Sequence, residues 1–184
     1  MRTDFNLPES EVTFIGRSAA ISTLYFSLTM LKTTLFLFLV AALIPAPGTG
    51  VQQKRFRIHL DKMTFDEARD FCAKHDTWPV TINSQQENDF IHKVAVSQLV
   101  HSNTSMALVW IGLVRVGSKW EWSDHSPVNY TNWWTEYGQP DNDKGKENCV
   151  QMYVDGNPVP YAGRWNDLNC DHKAYFVCQY YRYI

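Results

Sequence analysis

The sequence has no excess of charge of either sign and no long run of like charges. Its 17 Lys and Arg residues stand against 19 Asp and Glu residues, which leaves a formal net charge of -2 at pH 7. Proteins that bind nucleic acid or an acidic membrane surface through charge usually carry a basic patch or a basic overall balance. The composition therefore gives no reason to expect either partner.

Sequence motifs of zinc proteins and of common enzymes are also missing. No C-x-x-C or H-x-x-x-H pair is present, so a structural zinc is not expected. There is neither a nucleophile elbow nor a phosphate-binding loop. The segment 123–126 reads SDHS, but consecutive residues on a strand or turn point in different directions and cannot form a catalytic relay. We therefore expect no enzymatic activity.

The sequence also lacks an uncharged apolar run that would span a bilayer comfortably. The most apolar run, Thr33 to Ile44, has about twelve residues; Lys32 precedes it and the small residues PAPGTG follow it. Such a run is typical of a secretory signal peptide, which would be compact if translation began at Met30. We expect an upstream extension that is disordered or not translated (1–29), a signal peptide (30–50) and a single domain (51–184).

A signal anchor is the alternative interpretation of this N-terminal segment. The apolar run would then join AAISTLYFSLTML before it, with residues 1–17 in the cytosol and Lys32 in mid-membrane, at a cost of about 3 kcal/mol. The cytosolic tail would also lack the basic excess that the positive-inside rule requires. We therefore favour a secreted protein over a single-pass type II membrane protein, and both place the domain outside the cytosol.

The chain does contain four cysteines, all in the segment 51–184. An even number suits two disulfides in an exported chain, and four cysteines permit three pairings. Two N-glycosylation acceptors, Asn103 and Asn129, agree with an extracellular location. We expect an extracellular, disulfide-bonded glycoprotein.

Two helices followed by several strands are expected in this domain. Thr64 with Glu67, and Ser84 with Glu87, have the spacing of a capping box, which starts a helix. A strand-like piece, Phe56–Leu60, precedes them. From ALVWIGLVRV onward, short segments rich in Val, Tyr and Trp alternate with polar turns, as antiparallel strands do. This order predicts an α+β domain.

Oxygen-bearing side chains are concentrated in two short segments, QPDNDKGKENC at 139–149 and WNDLNC at 165–170. Carboxylates and carboxamides without His or Cys suit a hard cation, and calcium tolerates irregular loops better than magnesium does. One such loop alone would be an ordinary turn. Two of them, each beside a cysteine, predict a calcium site. Its candidate ligands are Gln139, Asp141, Glu147, Asn166 and Asp167.

Calcium binding and order of the loop are expected to be coupled. Three of the five candidate ligands are carboxylates. Without the ion, two carboxylates about 4 Å apart would repel each other by roughly 4 kcal/mol at a surface-like dielectric. We therefore expect the loop to loosen when calcium is removed.

Six motifs occur in a fixed order between about Phe56 and Tyr181: WIGL, PVNYTNW, QPD, ENC, WND and FVC. In order and spacing they resemble the C-type lectin domain family. The resemblance implies the C-type lectin fold, in which two helices flank antiparallel sheets and a long loop region binds calcium. It also implies a cis peptide bond before Pro140 and the disulfides Cys72–Cys178 and Cys149–Cys170.

The resemblance further assigns the five candidate ligands to a calcium site that binds sugar. In the family, the order QPD accompanies galactose and N-acetylgalactosamine, and the order EPN accompanies mannose. The family's auxiliary calcium site does not carry over, because Arg115 and Lys119 stand where it uses acidic residues. We expect one calcium ion and glycans or glycoproteins as partners. The alternative is a calcium-independent, lectin-like module that binds proteins.

The aromatic residue that would stack on the sugar is displaced in this sequence. Strong galactose binders of the family have a Trp shortly after QPD, where Asp143 stands here. Three other residues are candidate platforms: Trp134, Tyr137 and Tyr161. Four tryptophans are expected to pack in the core or at the base of the loops: Trp110, Trp120, Trp122 and Trp165.

Overall fold

The structure, a computed structural model, describes four parts of the chain: residues 12–13, 52–99, 107–154 and 161–184. The predicted signal peptide and the glycosylation acceptor Asn103 lie outside these ranges, as does the upstream extension apart from Val12–Thr13. Within them, no helix is both long and apolar enough to cross a bilayer.

The strands form one mixed sheet. They are β1 Val12–Thr13, β2 Gln52–Met63, β3 Trp78–Pro79, β4 Ala107–Val116, β5 Lys119–Trp122, β6 Cys149–Val154, β7 Trp165–Leu168 and β8 Ala174–Tyr183. The strand order is β1-β2-β8-β4-β6-β7, with β3 also paired to β8 and β5 to β4. The pairing of β4 with β8 is parallel and the others are antiparallel. The α+β class is confirmed, whereas a purely antiparallel sheet is not.

The first helix, α1 (Phe65–Lys74), begins where the sequence predicted. The Thr64 side chain accepts a hydrogen bond from the Glu67 amide, and the Glu67 carboxylate accepts one from the Thr64 amide. Ala68 and Cys72 form the buried face of the helix. The predicted capping box is therefore confirmed.

The second helix, α2 (Gln85–Leu99), has only half of its predicted capping box. The Ser84 hydroxyl accepts a hydrogen bond from the Glu87 amide at 3.2 Å. The Glu87 carboxylate, however, accepts from the Asn83 amide and pairs with the buried ammonium of Lys54. A buried cation binds the carboxylate more strongly than the helix terminus does.

Two strands differ from the sequence-based expectation. β2 extends well beyond the predicted Phe56–Leu60. β7 lies in a region expected to be a loop, because WNDL is short and polar. Its extended form comes from pairing with β6, in which Val150 faces Asp167 and Gln151 faces Asn166. This register holds two of the candidate ligands on a strand rather than on a turn.

The core and both disulfides agree with the sequence-based expectations. Trp110, Trp122 and Trp165 are buried, and Trp120 is partly buried against the core. Cys72 is bonded to Cys178 and Cys149 to Cys170, the pairings implied by the resemblance. The first disulfide joins α1 to β8. The second joins the start of β6 to the turn after β7.

Candidate calcium-binding site

The candidate ligands come from three neighbouring segments. Gln139 and Asp141 follow a short 3-10 helix, Thr135–Tyr137, which ends at Gly138 in the left-handed region (φ 83°) that favours glycine. The Gln139–Pro140 bond is cis. Glu147 lies just before β6, and the last two ligands lie on β7. The pairing of β6 with β7 therefore brings the segments together.

The three carboxylates among the candidates meet at one point. Asp141, Glu147 and Asp167 each offer an oxygen atom, and these atoms lie within 4.8 Å of one another. Calcium binds carboxylate oxygens at 2.3–2.6 Å, so one ion between them could reach all three. Asp167 is buried, Glu147 is half-buried and Asp141 is exposed. The cluster is thus open to solvent on one side.

Asp167 is the best-satisfied member of the cluster. Its Oδ1 accepts a hydrogen bond from the Asp141 amide at 3.0 Å. Its Oδ2 accepts one from the Asn142 amide at 3.0 Å and one from the Arg115 guanidinium at 2.8 Å. Because a buried carboxylate is stable only when paired and hydrogen-bonded, these three donors explain how Asp167 is accommodated in the core.

The two carboxamides are less well satisfied. Gln139 is buried, and its Oε1 has no hydrogen-bond partner among the described residues. A buried amide oxygen with no donor fits a site for a cation, because an unsatisfied acceptor is otherwise costly. The Asn166 amide nitrogen donates to the Asp167 carbonyl at 2.6 Å. The donor set therefore fits calcium.

The surroundings of Glu147 disfavour the negatively charged form of its side chain. Burial raises the pKa of Glu147, and the hydrogen bond and negative charge of Asp141, with the charge of Asp167, raise it further. The hydrogen bond that its Oε2 accepts from the Asp143 amide at 2.8 Å acts in the opposite direction. A divalent cation beside these carboxylates would remove much of the repulsion.

An aromatic wall lies next to this cluster. It consists of Trp134, Tyr137, Tyr153 and Tyr161. The backbone N–H of Gln139 connects the candidate site to this wall by donating to the Trp134 carbonyl at 3.1 Å. The Tyr137 ring stacks on Trp134 with centroids 4.5 Å apart, and 68% of Tyr137 is exposed. Of the three predicted platforms, Tyr137 is the exposed one, because Trp134 and Tyr161 are half-buried.

Several residues that shape the site were not singled out from the sequence. Asn88, on α2, accepts a hydrogen bond from the Trp165 indole at 2.8 Å and donates to the Gly163 carbonyl, which Asn132 also contacts. Arg115 was considered only as a reason to exclude a second calcium. These contacts join residues that are 31 to 77 positions apart, so no local pattern reveals them.

The polar segment 123–126 has a structural role. Asp124 accepts hydrogen bonds from Ser126, from the Thr81 hydroxyl at 2.8 Å and from the side-chain Nε2 of Gln179 at 3.0 Å. These bonds tie the turn after β5 to β8 and to the segment before α2. Elsewhere on the surface, the glycosylation acceptor Asn129 is exposed.

The chain matches the family described as the Lectin C-type domain over residues 61–180, and it belongs to that family. The predicted C-type lectin fold is therefore confirmed. C-type lectin domains are in general carbohydrate-binding modules rather than enzymes.

Several relatives resemble this chain. E-selectin of Equus caballus is 34% identical over 119 residues, which cover 63% of this chain and 18% of the E-selectin. The match thus spans about a fifth of the relative's length. The mouse scavenger receptor C-type lectin carbohydrate-recognition domain is 36% identical, with a TM-score of 0.56 and coverage of 70% of this chain and 91% of that one.

A second solved structure shows that the fold does not require calcium. A type II antifreeze protein described as calcium-independent is 26% identical, with a TM-score of 0.56 and coverage of 77% of this chain and 96% of that one. Membership of the family therefore leaves the calcium dependence of this chain to be argued from its own residues.

Proposed function

We propose that this domain is a calcium-dependent lectin, which binds terminal galactose or N-acetylgalactosamine through one calcium ion. The proposed ligands are Gln139, Asp141, Glu147, Asn166 and Asp167. The observation that carries the proposal is the cluster of three carboxylates within 4.8 Å of one another. The buried Gln139 oxygen, two residues before Asp141, has no donor among the described residues and supports it.

The chemistry of these side chains suits the recognition of two neighbouring hydroxyl groups. Bound calcium would supply coordination positions that the protein leaves open, since it takes six to eight oxygen ligands. A sugar hydroxyl both donates and accepts hydrogen bonds. Gln139 has an amide donor on one side of Pro140, and Asp141 has a carboxylate acceptor on the other. The order of donor and acceptor along the loop would select the orientation of the hydroxyl pair.

The preference for galactose is supported by two features. The QPD order resembles that of the galactose-type members of the family. The exposed face of Tyr137, beside Gln139, provides an apolar platform against which the less polar face of a galactose ring could pack. A single site of this kind would bind weakly, at about -4 kcal/mol for a millimolar constant, so clustered glycans would bind best.

The second candidate function is a protein-binding module that needs no calcium. One observation favours it: Asp167 already pairs with Arg115 at 2.8 Å, so part of the negative charge is neutralised without a metal. In either case we propose a secreted, extracellular protein, in agreement with its disulfides and its N-terminal apolar run.

Retention on galactose-agarose in calcium buffer, followed by elution with EDTA, tests this proposal. Asp141→Ala and Asn166→Ala should abolish retention, because each removes a ligand. Asp143→Asn is the matched control, since Asp143 is an exposed acid of the same loop whose side chain pairs only with Lys144 among the described contacts. It should be retained like the wild type.

Three outcomes would contradict the proposal. They are retention that persists in EDTA, passage of the wild-type protein through the column, and equal loss of retention in the Asp143→Asn control. A mannose column run in parallel tests the sugar preference separately. Stronger retention on mannose would leave a calcium-dependent lectin but would refute the galactose assignment.

A further inference from the structure

Arg115 connects β4 to both segments of the candidate site. Its Nη2 donates to Oδ2 of Asp167 at 2.8 Å, and its Nε donates to the Glu147 carbonyl at 3.4 Å. The backbone amide of the same residue donates to the Asn148 carbonyl at 2.8 Å. One residue therefore holds the segment before β6 and the strand β7 at the same time.

The guanidinium is fixed in place by packing as well as by hydrogen bonds. It lies over the Trp120 ring, 4.3 Å from the centroid, and Trp120 in turn packs on Trp133 with centroids 4.9 Å apart. The side chain of Arg115 is 20% exposed, and that of Asp167 is 0% exposed. A planar cation stacked on an aromatic ring and shielded from solvent loses little freedom when it pairs with a carboxylate.

The charges at the site make this cation significant. Asp141, Glu147 and Asp167 bring three negative charges into one small cluster when all three are ionised. The guanidinium of Arg115 reduces this to two, which is the charge that a single Ca²⁺ ion balances. Without any cation the three carboxylates would repel each other, and the segment 139–148 would have to move apart.

We propose that Arg115 is a permanent internal cation, which keeps the loop 139–148 ordered when calcium is absent. The site is then preorganised, and calcium binds to a loop that is already in place instead of folding it. The part of this inference that concerns calcium rests on the proposed function; the part that concerns loop order does not. It replaces the expectation, made from the carboxylates alone, that the loop loosens without the ion.

Hydrogen exchange measured by mass spectrometry on the full chain tests the inference. The Asp141 and Asn142 amides donate to Asp167, so they report directly on the loop. In EDTA, Arg115→Met should exchange at least about tenfold faster than the wild type at these amides, because a charge-assisted hydrogen bond is lost. Calcium should slow exchange strongly in this variant and only slightly in the wild type.

Two further variants control for charge and for folding. Lys119→Gln removes an exposed cation from the same β4–β5 hairpin and should leave exchange unchanged. Arg115→Lys keeps the charge but loses the planar fork, so its exchange in EDTA should lie between those of the wild type and the Met variant. If the Met variant does not fold, as judged by exchange in α1, the wild-type exchange with and without calcium decides the question.

The inference is overturned if the wild-type loop exchanges in EDTA as fast as the Met variant does. Strong slowing of the wild-type exchange by calcium would also overturn it, because the order of the loop would then depend on the ion. Failure of the proposed function has a different signature: neither protein would take up calcium in a titration, whereas the difference between the variants in EDTA would remain.

Discussion

Gln139 and Asp167 are neighbours in the site and are both buried, but their oxygen atoms differ in what they contact. The Asp167 carboxylate accepts three hydrogen bonds, whereas Oε1 of Gln139 has no donor among the described residues. Leaving a buried acceptor unsatisfied costs about 1–3 kcal/mol. Two buried glutamine oxygens carry this cost among the described residues, Oε1 of Gln139 and Oε1 of Gln151 on β6. Gln139 is the one in the candidate ligand set, so its oxygen supports a ligand role there.

Tyr137 is the residue at which the sugar preference can be tested. We expect Tyr137→Ala to weaken galactose binding by about tenfold, because an aromatic face contributes roughly 1 kcal/mol beyond the area that it buries. Tyr137→Phe should bind like the wild type, since the platform needs the ring and not the hydroxyl. Competition with free galactose on a glycan-coated surface measures the effect.

Tyr183→Ala is the control for Tyr137, because Tyr183 is equally exposed, at 69%, but lies at the end of β8. It should leave galactose binding unchanged. If Tyr137→Ala binds galactose as the wild type does, the ring is not a platform, and the QPD order alone would have to account for any preference.

At the scale of single elements, local patterns predicted helix starts better than strands. The Thr64 and Glu67 capping box could be found from sequence because both partners lie within one turn of helix. At Ser84 the same spacing was only half realised, since Glu87 also pairs with Lys54, 33 residues away. β7 was missed because WNDL has no apolar alternation, and its extended form depends on β6.

β7 depends on α2 through Asn88, which can be tested. Asn88→Ala should reduce the free energy of unfolding by about 2–3 kcal/mol, because it leaves the buried indole N–H of Trp165 without its acceptor. Urea unfolding of the disulfide-intact protein in EDTA measures this loss. Gln86→Ala, at an exposed position of the same helix, should change stability by less than about 0.5 kcal/mol.

A loss as small for Asn88→Ala as for Gln86→Ala would mean that Asn88 does not hold β7. The contact matters for the site because Trp165 directly precedes Asn166 and Asp167 on the strand. Hydrogen exchange across β7 in the same variant would show whether the loss is local to the strand.

At the scale of the whole molecule, the family and its disulfide pairing could be predicted from six motifs. These motifs are spread over the entire domain, and their residues pack against one another in the fold. The cluster of Asp141, Glu147 and Asp167 was also predictable, since oxygen donors are concentrated in two segments. The role of Arg115 was not, because its partner Asp167 lies 52 residues away and only the folded sheet brings them together. The same limit applies to the parallel pairing of β4 with β8.

The stability of the whole domain should fall in mild acid because of His59. Its ring stacks on Phe176 at 4.6 Å and meets Phe71 edge-on at 4.7 Å. Burial, with the positive charges of Arg57 and His75, lowers the pKa of His59 to about 4, from an ordinary value of 6.5. The unfolded chain therefore binds a proton below pH 6.5, whereas the folded chain does so only near pH 4. The stabilising contribution is complete above pH 6.5 and is lost as the pH falls to about 4.

Urea unfolding at pH 7 and at pH 4.5, with EDTA present throughout, measures this effect. His59→Phe keeps an aromatic ring between its neighbours but cannot titrate, so it should lose less stability than the wild type between the two pH values. Equal losses in the two proteins would show that other groups account for the acid sensitivity.

The register of β2 with β8 places Gln52 opposite Tyr183, so the start of β2 and the end of β8 lie side by side. In the strand order, β8, β4 and β6 separate β2 from β7, which carries Asn166 and Asp167. A tether attached to either end would therefore start on the flank remote from the ligand-bearing strand. Several copies of the domain tethered to one support could therefore all present their candidate calcium sites to solvent. Weak binding of each copy to one sugar would then combine into strong multivalent binding to a surface that carries many glycans.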